Sequence, residues 1–492
     1  MAKYFLYNNI LIVSVLILIV GTLLAYIVFL FFKQKINTNF TNNNINLILL
    51  TTLFLSFFFF NLSLYFFFKK IIFNQNYLIF NLFKLTPKNY INTFLFFFEF
   101  SIDFFGIIIL FLSFFVGIFS LISLDNRIFW KNNKYFFYIN IFIIVIFFFV
   151  FSSNVLLFFL CYELLLLPSF LIVYFISPSR RSVQASLYFL IWTQIGSFLV
   201  FLSIVYMISL TGSFEFFNIR NFLFTKNEIF CLYFLLFIGF GFKIPIWPFH
   251  YWLIKTHVEA PAGFSMFLSG FLVKTAVYGF YKITILLGNN VNTTFFLTIC
   301  VIGIIDSSLK MWGQTDLKKL VAYCTIQEMN LIYLTLNWGD TSITINGILF
   351  VLMHGSLSTL MFFLVDCVQR RFNSRSVVEI SGILQITPVL GISILIMCVI
   401  FSGLPGSLKF NCEFYLFCSL FSMSPILTFL LFLITNVIGL IGFSKCWFNV
   451  TFGIFLKNFK TAPFDLNIKE IYIISANILF LFLSSFMCNY FF

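Results

Sequence analysis

Charge is scarce in this sequence. Only 9% of its 492 residues are Asp, Glu, Lys or Arg, while 61% are hydrophobic. Soluble domains carry about a quarter charged residues. No water-soluble fold can hide so much apolar surface, so lipid is the solvent for most side chains. The ten cysteines stand singly, without CxxC, CxxCH or any paired spacing. That argues against iron–sulfur, haem c and structural zinc sites and against a disulfide framework. A glycine-rich strand-to-helix fingerprint and a P-loop are both missing, so nucleotide and flavin binding are not expected of this chain. The apolar run over residues 5–32 is too long for a signal-peptide core and lacks the Arg- and Ser-rich character of a transit peptide. It is expected to remain as a first membrane span.

What the sequence has in abundance is phenylalanine, 81 residues of it, which reads as the codon usage of an A+T-rich, organellar genome. Mean hydropathy is +1.06. A span needs about 20 apolar residues, and dividing the chain in those units predicts an all-α polytopic membrane protein of fourteen spans. These fall near 5–32, 46–68, 95–123, 135–152, 154–177, 186–210, 229–250, 263–286, 293–310, 318–337, 342–367, 386–418, 425–447 and 470–490. The mixed segment 71–90 reads as a loop with an interfacial helix. The net charge of +13 forms no basic patch of the kind nucleic acid requires. Odd-numbered loops hold eighteen Lys and Arg, against six in even loops: Lys69, Lys70, Lys84, Lys88, Arg220 and Lys226. That bias supports the span count and places the odd loops on the positive side, with both termini opposite.

Eight ionisable residues fall inside spans: Glu163, Lys243, Lys274, Lys282, Glu328, His354, Lys409 and Glu413. Each costs a few kcal/mol or more at mid-membrane unless paired or hydrated, so together they call for a polar path. The densest passage is GFKIPIWPFHYWLIKTHVEAP, residues 241–261. Pro245 and Pro248 interrupt the seventh helix beside Lys243, and a broken helix at membrane depth is tolerated where it lines a hydrated cavity, its freed carbonyls finding water or cations. A second interruption lies at SGLPGSLKFNCEF, residues 402–414, with Pro405 placed like Pro245 and Glu413 beyond it. Interrupted helices at corresponding places point to an internal repeat. The expected division is 1–134 for the first three spans and their loops, 135–286 for a five-helix repeat (spans four to eight), 293–447 for a second, inverted copy (spans nine to thirteen), and 448–492 for a loop and the last span. The broken helices are then the seventh and twelfth.

The motifs HVEAP, QTDLKKLVAY at 314–323, HGSLSTLMFFL at 354–364 and LPG followed by Glu413 resemble the antiporter-like membrane subunits of the proton-pumping NADH:ubiquinone oxidoreductase of mitochondria (respiratory complex I), a family that also includes Mrp-type sodium/proton antiporters. The similarity runs from about Glu99 to Glu413. A glutamate in the broken twelfth helix, together with HVEAP, is similar to the chain 4 branch. The resemblance implies that Glu163 pairs with Lys243 as the switch of a hydrated proton path, that Lys274 and His354 are intermediate stations, and that Glu413 is the terminal acid. Two positions depart from the family pattern. CTIQEM stands where the family has SSxSHM, so Glu328 replaces a histidine, and Lys409 stands where a small polar residue is usual. Four positions apart, Lys409 and Glu413 can form an ion pair if the helix is continuous.

His250 and His257 read as structural hydrogen-bonding residues, with a cavity-facing His257 as the sharper alternative. Glu259 and Pro261 are expected to close the turn between spans seven and eight. Glu99, Asp103, Asp306 and Asp366 read as interfacial, and RRFNSRS, residues 370–376, as a topology anchor. The resemblance further implies a multi-pass protein of the mitochondrial inner membrane, lying beside antiporter-like subunits 2 and 5. On that reading NADH, FMN, iron–sulfur clusters and ubiquinone belong to partner subunits, and this chain binds no cofactor or metal. Two other readings stand beside it. A cation/proton antiporter would show cation-dependent exchange without NADH, and a scaffold would tolerate joint replacement of its charges by apolar residues.

Overall fold

Long apolar runs leave the backbone no partner but itself, so the chain folds into helices wherever lipid surrounds it. The computed structural model describes residues 80–81, 101–123, 129–176, 179–288, 293–338, 341–453 and 464–488. Two short strands, β1 (Phe80–Asn81) and β2 (Ser101–Ile102), pair antiparallel ahead of the first described helix. The backbone at Phe80 and Asn81 is thus extended, within the segment 71–90 read as a loop with an interfacial helix. The remainder is helical. α1 (Phe104–Ile122), α2 (Phe129–Phe151), α3 (Val155–Leu164) and α4 (Leu166–Ile176) lead into α5 (Arg180–Thr211) and the short α6 (Phe216–Asn221). α7 (Lys226–Lys243) and α8 (Tyr251–Glu259) flank the first break. Then come α9 (Ala262–Leu287), α10 (Thr294–Trp312), α11 (Leu317–Asn337), α12 (Thr341–Phe372) and the single turn α13 (Ile383–Ile386). α14 (Pro388–Phe401) and α15 (Leu408–Met423) flank the second break, followed by α16 (Pro425–Thr451) and α17 (Ile468–Cys488).

Among the described residues eight helices are long and apolar enough to cross a bilayer: α1, the joined α3–α4, α5, α9, α10, α12, α16 and α17. α7, α11 and α15 fall outside that group, and they carry Lys243, Glu328, and Lys409 with Glu413. The first two expected spans, 5–32 and 46–68, lie outside the described residues, as does Glu99.

Helix starts follow capping chemistry. Asn154 accepts from Leu156 N–H, Asp316 accepts from Lys318 N–H, and Ser179 with Ser182 and Thr225 with Glu228 form capping boxes. Within apolar helices, hydroxyls return to the backbone one turn earlier, as Ser113 does to Leu110 O at 2.7 Å and Thr193 to Phe189 O at 2.6 Å. Small residues let helices approach closely. A β-carbon on Gly196 of α5 would lie 2.6 Å from the carbonyl oxygen of Gly239 on α7, so only glycine fits that crossing. α12 is almost wholly buried and packs against α1, α9, α11, α14, α15 and α17; the polar residues it carries are therefore held inside the protein.

The two breaks differ in how their backbone is satisfied. After α7, Ile246 N–H reaches back to Gly241 O, Trp252 Nε1 donates to Phe242 O at 2.7 Å, and Asn330 Nδ2 lies 3.5 Å from Pro245 O. Protein donors thus take carbonyls that the sequence reading assigned to water or cations, because the chain folds α8 and α11 directly over the gap. After α14, Gly403 and Gly406 adopt φ of 82° and 90°, a region glycine enters without strain. Ser407 then caps α15, and Ser485 of α17 donates to Gly406 O at 2.7 Å. π-helical segments interrupt α9 at Leu268–Leu272 and α16 at Leu433–Gly439, and such segments frequently accompany functional sites.

Candidate functional site

Seven of the eight in-span ionisable groups form two clusters, and Lys282 stands apart from both. In the first, Lys243 at the end of α7 is 3% exposed, and its ammonium sits 3.8 Å from the centre of the Tyr162 ring, a cation–π contact. Glu163, on α3, makes no ion pair with Lys243. It accepts a hydrogen bond from Gln194 Nε2 of α5 at 3.1 Å and acts on the lysine through space. Glu163 is half-buried and Gln194 exposed, in a face that also exposes Leu160, Leu164, Ile191 and Ile195. Gln194 went unremarked in the sequence because an amide in an apolar run carries no charge signal.

The second cluster is larger. Lys274 on α9 is fully buried, follows the π segment, and donates to the carbonyl of Ser269 within it. It lies close enough to Glu328 and His354 to act on both electrostatically. Glu328 on α11 places one oxygen 3.6 Å from His354 Nε2 on α12 and the other 3.3 Å from Lys409 Nζ on α15. Lys409 in turn lies 3.4 Å from Glu413 and 3.5 Å from the centre of the Phe401 ring. α15 runs unbroken from Leu408 to Met423, so the pair at i and i+4 closes. Asn436, inside the second π segment, reaches Glu413. Side-chain exposure is 2% at His354 and 14% at Glu413, which makes Glu413 the most exposed of the four. The two departures from the family pattern thus face each other. Lys409, absent from the expected set of path residues, is the centre of this cluster. Among the described residues no hydrogen bond or ion pair joins it to Lys243.

Several buried polar atoms here have no hydrogen-bond partner: both ring nitrogens of His257 and of His354, Nε2 of Gln327, Oε2 of Glu328 and Oδ1 of Asn330. His257 is fully buried and stacks on Phe362, with ring centres 4.5 Å apart. The HVEAP turn is tied down by Arg375, which donates to Val258 O at 2.8 Å, and by Lys318, 3.3 Å from Ala260 O. Asp306 lies between Lys310 at 2.7 Å and His250 at 3.6 Å. Lys282 donates to Val150 O and Ser152 O at the end of α2, and Tyr278, one turn before it, reaches Asp103 at 3.3 Å. The arginines of RRFNSRS do more than anchor topology. Arg370 donates to Ser123 O at 2.6 Å and pairs with Asp366, while Arg371 pairs with Glu470 and donates to Phe464 O and Asp465 O.

Residues 152–439 match the sequence profile of the transmembrane family of NADH:quinone oxidoreductases and Mrp antiporters. The chain belongs to this family. Glu163, Lys243, Lys274, Glu328, His354, Lys409 and Glu413 all lie within the matched residues. Within the family, the NADH-ubiquinone oxidoreductase chain 4 of Paramecium tetraurelia is 46% identical over 376 residues, covering 76% of this chain and 79% of that one. The Marchantia polymorpha chain 4 is 30% identical over 323 residues, and the match spans 63% of its length. Similarity to chain 4, read from HVEAP, QTDLKKLVAY and Glu413, is therefore borne out. The fold is shared with a chain of respiratory complex I from Thermus thermophilus, at a TM-score of 0.70 and 21% identity over 80% of this chain and 83% of that one. It is also shared with a chain of an archaeal membrane-bound sulfane sulfur reductase, at a TM-score of 0.76 and 19% identity over 96% of this chain and 76% of that one.

Proposed function

We propose that this chain is a membrane subunit of a proton-pumping NADH:ubiquinone oxidoreductase of the mitochondrial inner membrane, and that it conducts protons through its buried Glu, Lys and His residues while electron transfer proceeds in other subunits. The carrying observation is the continuous buried series His354, Glu328, Lys409, Glu413, with separations of 3.6, 3.3 and 3.4 Å. Four ionisable groups held this closely in a dry interior would be a liability for stability alone, and unpartnered buried atoms alongside them are the usual lodging of ordered water.

On this reading Glu163 and Lys243 form the input. Glu163 stabilises the lysine's charge through space, and weakening that attraction sends the proton by water toward Lys274. Lys274 passes charge to Glu328 and His354, and Glu413 releases the proton. The matching breaks and the π segments in α9 and α16 support two five-helix halves, 135–286 and 293–447, as inverted copies within fourteen spans. Neighbouring membrane-arm subunits, of the antiporter-like 2 and 5 type, would cover the faces at Glu163 and Glu413, since a half-buried carboxylate facing lipid is costly. NADH, FMN, iron–sulfur clusters and ubiquinone would then be held elsewhere in the complex, with this chain free of redox groups.

A mild-detergent native gel of the source membranes, stained for NADH dehydrogenase activity with this chain located by mass spectrometry, tests membership. Co-migration with the active high-mass band is expected. Migration in a smaller particle without that activity contradicts the proposal, and sodium-dependent proton flux in that particle would identify a cation/proton antiporter instead.

A further inference from the structure

The proton-path reading leaves Lys409 without a task, yet its ammonium is nearly equidistant from two carboxylates, 3.3 Å from Glu328 and 3.4 Å from Glu413. All three side chains are buried to within 14%. Two carboxylates that share one ammonium are balanced when one of them also holds a proton; ionising both leaves a buried net charge, and neutralising both strands the ammonium. Taken by itself, the triad is neutral with one exchangeable proton, in either of two arrangements. With the proton on Glu413, Lys409 pairs with Glu328; with the proton on Glu328, it pairs with Glu413.

We propose that Lys409 is a positioning residue that exchanges counter-ion duty between Glu328 and Glu413 and so passes one proton at a time from the His354 side toward the exit. In the step, the O–H bond at Glu328 breaks and one at Glu413 forms, by way of water, while the ammonium moves the opposite way. Net charge within the triad is unchanged, and no co-reactant is consumed. His354, 3.6 Å from Glu328, is placed to reload it. The phenyl ring of Phe401 under the ammonium gives the moving charge a face to slide over that competes for neither carboxylate. Glu328 and Lys409 accordingly act in one step: without Lys409 the two carboxylates lose their shared ammonium, and without Glu328 the ammonium stays on Glu413.

This inference rests on the proton-path reading, and the test separates the two. Assembled complexes carrying Lys409→Met, Lys409→Arg, Glu328→Gln, the Glu328→Gln/Lys409→Met pair or Lys243→Ala are compared for protons moved per NADH oxidised, normalised to assembled complex. Lys409→Met and Glu328→Gln are each expected to lower the ratio about tenfold, and the double variant to fall no further than either alone, the signature of two residues serving one step. Lys409→Arg is expected to retain most of the ratio, since it keeps the charge. If Lys409→Met fails to assemble, the double variant, relieved of part of the charge imbalance, decides: a ratio lowered about tenfold supports the exchange, and near-native pumping overturns it. A native ratio in Lys409→Met beside a collapsed one in Lys243→Ala overturns this inference alone, whereas native ratios in both overturn the proton path itself.

Discussion

Replacing Lys274 by methionine is expected to leave the protein folded and the complex assembled while proton translocation falls about tenfold or more, the effect of roughly 1.4 kcal/mol or more on the limiting barrier. Lys274 is fully buried, and its side chain donates to the Ser269 carbonyl within the π segment. Methionine is also unbranched and flexible, so it can fill the same slot. The fold loses one hydrogen bond from a charged group, about 1.5–3 kcal/mol, but is relieved of a buried charge. On the proposed path Lys274 is the group that hands charge from Lys243 to the Glu328–His354 pair. Fluorescent-probe measurements of NADH-driven acidification in sealed vesicles, read against NADH oxidation, check this. Acidification at the native rate with Lys274→Met would remove this residue from the path.

The second large effect is on stability. Arg371→Ala is expected to destabilise the chain by about 3–5 kcal/mol, the penalty for leaving a buried ion-pair partner alone. Arg371 is 8% exposed at the end of α12. It pairs with Glu470 of α17 and donates to the carbonyls of Phe464, Asp465 and Cys367. Asp465 in turn accepts from Val389 N–H at 2.8 Å and Leu390 N–H at 3.2 Å, capping α14. Losing the guanidinium therefore frees both the last helix and the start of the second broken one. Arg370, 4.0 Å from Glu470, offsets only part of this. Limited proteolysis between α16 and α17 and the thermal midpoint in detergent are the readouts; an unchanged midpoint would show that α17 is held by its apolar face alone.

Much of this architecture could be read from the chain because membrane helices announce themselves by length and hydropathy. The two breaks followed from Pro245 and Pro405, which cannot donate to a helix ladder. The candidate groups stood out because a charge in an apolar run is costly wherever it points. What the sequence could not supply was pairing between distant helices. Glu328 and Lys409 lie 81 positions apart, and each read alone looked like an unexplained departure; only the crossing of α11 and α15 makes them partners. The same limit hid the role of Arg371, whose acid is 99 positions away, and of Gln194 beside Glu163. Neither π segment has a proline or a charge run to mark it, so Leu268–Leu272 and Leu433–Gly439 read as ordinary helix. At Trp252 and Asn330, side chains from neighbouring elements supply the donors that a linear reading had to assign to water.

Proton yield is the quantity on which the central claim turns. The ratio of protons translocated to electrons transferred should be measured in the assembled complex carrying Lys243→Ala, with Lys243→Arg as the charge-preserving control. The proposed path takes the buried lysine stacked on Tyr162 as its input, so the account predicts a collapsed ratio in Lys243→Ala and a largely retained one in Lys243→Arg. An unchanged ratio in Lys243→Ala, in a complex that still oxidises NADH, would contradict proton conduction through this chain.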